Sequence, residues 1–276
     1  MSSTQPIATE PGARKEDPIL VARNVRRTFG GLLAVDVQTL EIERHTITAL
    51  IGPNGAGKTT LFNLLTGFDR ADGGEWKFDN VDLTGQPAYR IARSGMVRTF
   101  QLTKSLARLT VLDNMLLAAP QQRGEHLLTA LSGRWRTQER ENRARATDLL
   151  DRYRLADKRD DLAGTLSGGQ RKLLEMARAL MVDPRLVMLD EPMAGVNPAL
   201  VQSLLDHIRE LRAEGRTVVF VEHDMDVVMN ISDWVVCMAA GQVIAEAPPA
   251  VIVQDEAVID AYLGAHHGER PEGATP

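Results

Sequence analysis

The segment Gly52-Pro53-Asn54-Gly55-Ala56-Gly57-Lys58-Thr59 follows directly on an apolar run from Ile47 to Ile51, and it restricts the fold more than any other stretch of the chain. It has the form G-x-x-x-x-G-K-[ST], in which small residues let successive backbone N–H groups curl around a polyphosphate. Such a loop works where a buried strand ends and a helix begins, because the helix then aims the positive end of its dipole at the anion. The pattern predicts a strand, a tight loop and a helix starting near Lys58, in an α/β domain. On this reading Lys58 reaches the β and γ phosphates, Thr59 sets its hydroxyl on Mg2+, and Thr60 donates to the α phosphate. The competing reading is a Gly-rich turn without ligand, and the preceding strand counts against it.

A second acidic motif narrows the chemistry. Leu186-Val187-Met188-Leu189 is a buried-strand sequence that ends in Asp190 and Glu191. Beside a phosphate loop, Asp190 is placed for the Mg2+ and Glu191 for the γ-phosphate side, where it orients and deprotonates an attacking water. By itself an Asp-Glu pair at a strand end is an ordinary solvated turn, so its meaning comes from the loop upstream. Kinases, GTPases, helicases and transport ATPases all remain open at this point.

The rest of the chain alternates in the same way. Residues 18 to 51 hold β-rich runs, broken by Gly30-Gly31, that read as a meander leading into a buried strand. GEWKFDNVDL reads as a hairpin centred on Asp79-Asn80, and Met96 to Phe100 as a short strand. From about Leu102 to Gly164 the β signal fades, with a helix over Thr137 to Tyr153. A helix follows Asn197 as N-cap and Pro198 in the first turn, with Leu200, Leu204, Leu205, Ile208 and Leu211 on one face and Gly215 after its end. Flanked by the apolar runs LVMLD and TVVFV, it makes a crossover between parallel strands. Residues 1–17 and 265–276 read from composition as disordered tails around a domain at 18–264.

Leu166-Ser167-Gly168-Gly169-Gln170, just before another helical run, supplies a second anion site: an N-cap hydroxyl with free N–H groups at the positive end of a helix dipole. LSGGQ is the signature of ATP-binding cassette (ABC) ATPases, and from about residue 18 to 265 the chain resembles that family. The resemblance implies a RecA-like mixed-sheet core, an N-terminal antiparallel β subdomain and an inserted α-helical signature subdomain at about 102–180. It assigns Gln101 of MVRTFQ to the Q-loop, touching Mg2+ and water, His223 of VEHD to the switch histidine, and Phe29 of RTFGG to the adenine-stacking aromatic. It further implies that Ser167, Gly168, Gly169 and Gln170 of one copy complete the ATP site built on Lys58 of another. Where most of the family has an aspartate after the Asp-Glu pair, this chain has Asn197, which loses the charge and keeps hydrogen bonding.

RTFQ, LTVLDNMLLA, AGVNP, EHDMDVVMNISD and AYLG look like the ATPase subunits of branched-chain amino acid uptake systems. Urea or amide importers and the lipopolysaccharide-export ATPase are similar, and a cluster-assembly ATPase is the non-transport alternative. A P-loop kinase leaves LSGGQ without a purpose. The resemblance implies ATP and Mg2+ as cofactors, and as partners a second ABC ATPase subunit (this chain or a related one), integral membrane permease subunits and, indirectly, a periplasmic or extracellular solute-binding protein.

Charge and length agree with that picture. The formal charge of −5 argues against a nucleic-acid binder, and no run approaches the roughly 18 apolar residues of a membrane span. The start of the chain lacks the basic-then-apolar order of a signal peptide, and the single cysteine, Cys237, has no partner for an internal disulfide. The expectation is a peripheral subunit on the cytoplasmic face of the cell membrane. Residues 83 to 112 carry Arg90, Arg93, Arg98, Lys104 and Arg108 without an acid. Together with Gln101 and the Leu102 to Leu109 loop they form a candidate docking surface for a membrane partner or for anionic headgroups.

Overall fold

The computed structural model describes residues 10–99, 107–120 and 135–267. Strands β1 (Pro18–Phe29) and β2 (Leu32–Glu43) pair antiparallel, and Phe29 meets Leu32 across the Gly30-Gly31 turn. Both glycines have positive φ, 51° and 89°, which is the geometry a two-residue hairpin needs to match the strand twist. β4 (Gly73–Phe78) pairs with the other edge of β1 and turns through Asp79-Asn80 into β5 (Val81–Asp82). Asp79 and Asn80 sit at φ 49° and 63°, a left-handed conformation that short polar side chains tolerate, so the expected hairpin forms. This sheet has the order β2-β1-β4-β5.

β3 (Ile47–Ile51) does not extend that meander but enters a second sheet. Its companions are β6 (Met96–Arg98), β7 (Leu186–Asp190), β8 (Thr217–Val221), β9 (Trp234–Ala239) and β10 (Gln242–Ala247). They lie in the order β10-β9-β3-β8-β7-β6, parallel throughout except for β10 against β9. Alternate residues of a strand point to opposite faces, and here both faces are covered. Ile47, Ala49, Ile51, Val187, Leu189, Val218, Phe220, Val235 and Cys237 belong to one core, and Leu50, Met188, Val219, Val221, Val236 and Met238 to another. This two-sided burial explains why these strands read as unbroken apolar runs.

The second core is shared with β1, β2, β4 and helix α1 (Lys58–Leu65), with Trp76, Phe78 and Phe62 at its centre. Tucked beside it is α2 (Ala88–Arg93), through Ile91. The first core is covered by α3 (Val111–Leu117), α4 (Trp135–Arg152), α5 (Gly168–Leu180), α6 (Pro198–Ala213), α7 (Met225–Ile231), α8 (Pro249–Ile252) and α9 (Glu256–His267). In α6 the apolar residues Leu204, Leu205, Ile208 and Leu211 are buried along with His207, Leu200 is half-buried, and Gly215 at φ 81° follows its last turn.

Composition places residues 10–17 in a tail, but they are tied down. Fully buried Glu246 accepts the N–H groups of Gly12 (2.7 Å) and Ala13 (2.9 Å), the Lys15 ammonium (2.9 Å) and Trp234 Nε1 (2.8 Å). Lys15 also lies 3.6 Å from the centroid of the Trp234 ring. A buried carboxylate with four donors organises a chain segment that its composition alone would leave free. At the other end, α9 runs to His267, three residues into the expected C-terminal tail. Glu246→Ala strands Lys15 without its counter-charge. It should lower unfolding free energy by about 3 kcal/mol, read as a shift in urea midpoint, and expose residues 10–17 to limited proteolysis.

Candidate active site

The phosphate loop begins where β3 has no room for a side chain. Gly52 lies at φ 141°, and a Cβ there would stand 2.0 Å from the Met238 carbonyl oxygen of β9. Gly57, at φ 97° as the residue capping α1, meets the Ala34 carbonyl in the same way, at 2.4 Å from a built Cβ. Between them Gly55 at φ 78° faces open space. The glycines thus serve two ends: close packing where the loop touches β9 and β2, and left-handed backbone where it arches outward. Asn54 and Gly55 are exposed at the crest, Ala56 is buried beneath it, and Pro53 lies partly covered.

Lys58 folds back over this loop. Its Nζ donates to the carbonyls of Gly52 (2.5 Å) and Pro53 (2.9 Å). Burial holds its pKa below the usual lysine range, opposed by the carboxylates of Glu191 and Asp190 and by Cys237 nearby. Thr59 is exposed and Thr60 half-buried in the first turn of α1. Cys237, on the strand below, has its thiol pushed up to about 12 by burial and is therefore an unreactive core group.

Sheet register brings the acidic motif to the same edge. Leu50 of β3 pairs with Val221 of β8, and Val221 pairs with Asp190 of β7. Three adjacent parallel strands consequently end together, with Asp190 two strand spacings, about 10 Å, from the start of the phosphate loop. Glu191 follows at φ 45°, a left-handed conformation costly for a side chain of that size, held by its N–H to Val221 O (3.1 Å) and its carbonyl to Ala194 N–H (3.1 Å). Lys172 Nζ of α5 also donates to that carbonyl at 3.4 Å. After β8, His223 is exposed, with Nδ1 3.8 Å from Glu222.

The signature residues lie elsewhere on the surface. Ser167 caps α5: its Oγ accepts Gln170 N–H (3.3 Å), and Gln170 Oε1 accepts Ser167 N–H (2.9 Å). This reciprocal box fixes the start of the helix. Gly169 packs against α6: a Cβ there would lie 2.2 Å from Leu200 Cδ1, the end of a side chain that can turn aside. Ser167 and Gly168 are exposed. Phe29 stands at the end of β1 with 45 % of its surface exposed, and the Arg27 guanidinium is 4.5 Å from its ring centroid. Asn197 lies just ahead of α6, its carbonyl accepting Leu200 N–H at 2.8 Å. Gln101 and Lys104 fall outside the described residues.

Three neighbours of the site went unrecognised in the sequence. Arg98 is one correction: the sequence places it in a basic docking surface, whereas its side chain is 8 % exposed at the end of β6. It pairs with Asp190 at 2.5 Å and donates to Asn63 Oδ1 of α1. Its only cue was a lone cation closing the apolar strand MVR. Glu222, 1 % exposed, accepts Met193 N–H (3.0 Å) and His223 N–H (3.3 Å), tying the turn after Glu191 to the histidine. Burial raises its pKa, and those backbone bonds oppose the rise. The third is Tyr262, whose Oη accepts Gly52 N–H.

A parallel sheet that presents a glycine loop and a carboxylate pair on one edge defines a nucleotide-binding protein of the phosphate-loop class. Residues 35–194 match the ABC transporter family, and residues 242–268 match the family described as branched-chain amino acid ATP-binding cassette transporter. The chain belongs to the ABC transporter family, within its branched-chain amino acid branch, and is an ATP-binding ATPase. It is 43 % identical over 251 residues to a probable branched-chain amino acid transport ATP-binding protein of Archaeoglobus fulgidus, covering 91 % of this chain and 97 % of that one. A high-affinity branched-chain amino acid transport ATP-binding protein of Pseudomonas aeruginosa is 42 % identical over 90 % of this chain and 98 % of its own. A solved nucleotide-free ATP-binding cassette from an ABC transporter superposes with TM-score 0.78 at 38 % identity, covering 89 % of this chain and 98 % of that one.

The buried Arg98–Asp190 pair makes a stability prediction. Arg98→Met leaves a carboxylate that is 5 % exposed without its cation, and should cost about 3 kcal/mol in urea unfolding. Adding Asp190→Asn should recover more than half of that loss. Additive losses would show that the two side chains do not act as a pair.

Proposed function

We propose that this chain is the ATP-hydrolysing subunit of an importer for branched-chain or related amino acids, working through separate membrane subunits. The reading is supported by the convergence of Lys58, Asp190, Glu191 and His223 on the carboxyl ends of three adjacent parallel strands. The branched-chain match of residues 242–268 favours amino acids over urea, lipopolysaccharide or cluster assembly. The working unit is the domain at 18–264, with the helical part at about 102–180, together with the anchored residues 10–17 and the end of α9.

In this proposal the N–H groups of Asn54, Gly55 and Gly57 and the start of α1 cradle the phosphates of ATP, while Lys58 leaves the Gly52 and Pro53 carbonyls to meet the β and γ phosphates. Thr60 holds the α phosphate, and Phe29 offers its exposed ring to adenine. The hydroxyl of Thr59 and the carboxylate of Asp190 are hard oxygen donors suited to Mg2+, leaving other positions to phosphate, water and Gln101. That ion supplies charge neutralisation of the phosphates. Glu191 orients and deprotonates the attacking water, and His223 donates to the γ phosphate. Ser167, Gly168, Gly169 and Gln170 of a second ABC ATPase subunit close the same site, so ATP holds two subunits together.

Among the described residues no helix is long and apolar enough to cross a membrane. The proposed partners are therefore integral membrane permease subunits, reached from the cytoplasmic face, with a periplasmic or extracellular solute-binding protein acting through them. Glu191→Gln should bind ATP, accumulate as a dimer in gel filtration, and release phosphate at least a hundredfold more slowly than the unmodified chain. Phosphate release at the unmodified rate would remove Glu191 from the role of base.

A further inference from the structure

The motif Ala261-Tyr262-Leu263-Gly264 near the end of α9 has no part in the hydrolytic roles above. Its tyrosine nevertheless reaches the nucleotide site: Tyr262 Oη accepts the N–H of Gly52 at 2.9 Å, across 210 residues of sequence. Gly52 is buried, and a buried N–H needs a partner. The other side of the same residue is also held, because Lys58 Nζ donates to the Gly52 carbonyl at 2.5 Å. Gly52 is thus clamped between the C-terminal helix and the phosphate-binding lysine.

α9 is built to present this hydroxyl. Asp255 Oδ1 accepts Val258 N–H at 3.2 Å, fixing the start of the helix. Val258, 4 % exposed, is sunk in the core, and Tyr262 stands one turn further on the same face, packed against that core. Burial raises the pKa of the phenol, which keeps it protonated, and the Gly52 N–H opposes the rise. Gly52 itself has no Cβ to resist rotation of its peptide, and it sits at φ 141°. Once Lys58 turns toward a phosphate and leaves the Gly52 carbonyl, the Tyr262 bond still holds the preceding peptide, between Ile51 and Gly52, by its N–H.

We propose that Tyr262 is a positioning residue of the phosphate loop, and that α9 is a strut that presets the loop for nucleotide. The proposal rests on the ATPase reading above. Linkage makes it reciprocal: whatever α9 docking contributes to nucleotide affinity, bound nucleotide returns to α9 docking.

Tyr262→Phe keeps the ring and removes the acceptor. Ribose-labelled fluorescent ADP, titrated with Mg2+ into the full-length chain, should bind about tenfold more weakly to this variant, the scale of one lost hydrogen-bond partner. In steady-state hydrolysis the change should fall on KM rather than kcat. Amide hydrogen exchange of residues 256–263 should slow when ADP is added to the unmodified chain, and should not respond in Tyr262→Phe. Equal ADP affinity in the two proteins overturns the proposal, even where the variant melts at a lower temperature, since Tyr262 would then act in packing alone. Absence of ADP-dependent slowing in the unmodified chain overturns it without need of a variant. Failure of the unmodified chain to bind labelled ADP overturns the ATPase reading and this proposal together, which separates the two failures.

Discussion

No side chain fits between the end of β3 and the Met238 carbonyl of β9, and the nucleotide site depends on that contact. A residue larger than glycine at position 52 forces the two strands apart at the place where β3 must turn into the loop. The same glycine offers its N–H to Tyr262 and its carbonyl to Lys58. Backbone left bare by the missing side chain becomes the junction of the central strand, the C-terminal helix and Lys58. The loop is therefore shaped by packing from below together with the bonds that Lys58 makes to its Gly52 and Pro53 carbonyls.

The charges of the site are paired off within the chain. Lys58 sits on two carbonyls, Asp190 on Arg98, and the Glu222 carboxylate on two backbone N–H groups. Buried charges left alone would be prohibitive, so each has a local partner. These partners also link parts of the site that are distant in sequence. Arg98 joins β6 to both α1 and β7, Glu222 joins the turn after Glu191 to His223, and Lys172 joins the signature helix to Glu191.

Much of the fold was legible because local rules and tertiary packing agree. The Asp79-Asn80 hairpin, the Gly30-Gly31 turn and the capped helix Pro198–Ala213 follow from turn and cap chemistry acting within a few residues. Apolar runs such as LVMLD read as buried strands because both faces of the sheet are covered. The placement of residues 10–17 was not legible, since a composition rich in charge says nothing of Glu246, more than two hundred residues away. Arg98 was misread for a related reason: a run of arginines looks like a solvated face until one of them is found opposite a buried carboxylate.

The sequence alone determined the chemistry on offer: a phosphate loop, an Asp-Glu pair after an apolar strand, a Ser-Gly-Gly-Gln helix start and a histidine behind a third strand. Each is a local pattern, set by which residues can curl, cap or end a strand. Only the tertiary structure decided that β8 lies between β3 and β7, so that Lys58, Asp190 and His223 share one edge. It also decided that Arg98 and Tyr262 belong to the same site. Strand order and long-range hydrogen bonds are fixed by burial of faces and pairing of polar groups across the whole chain, and no window of neighbouring residues contains that information.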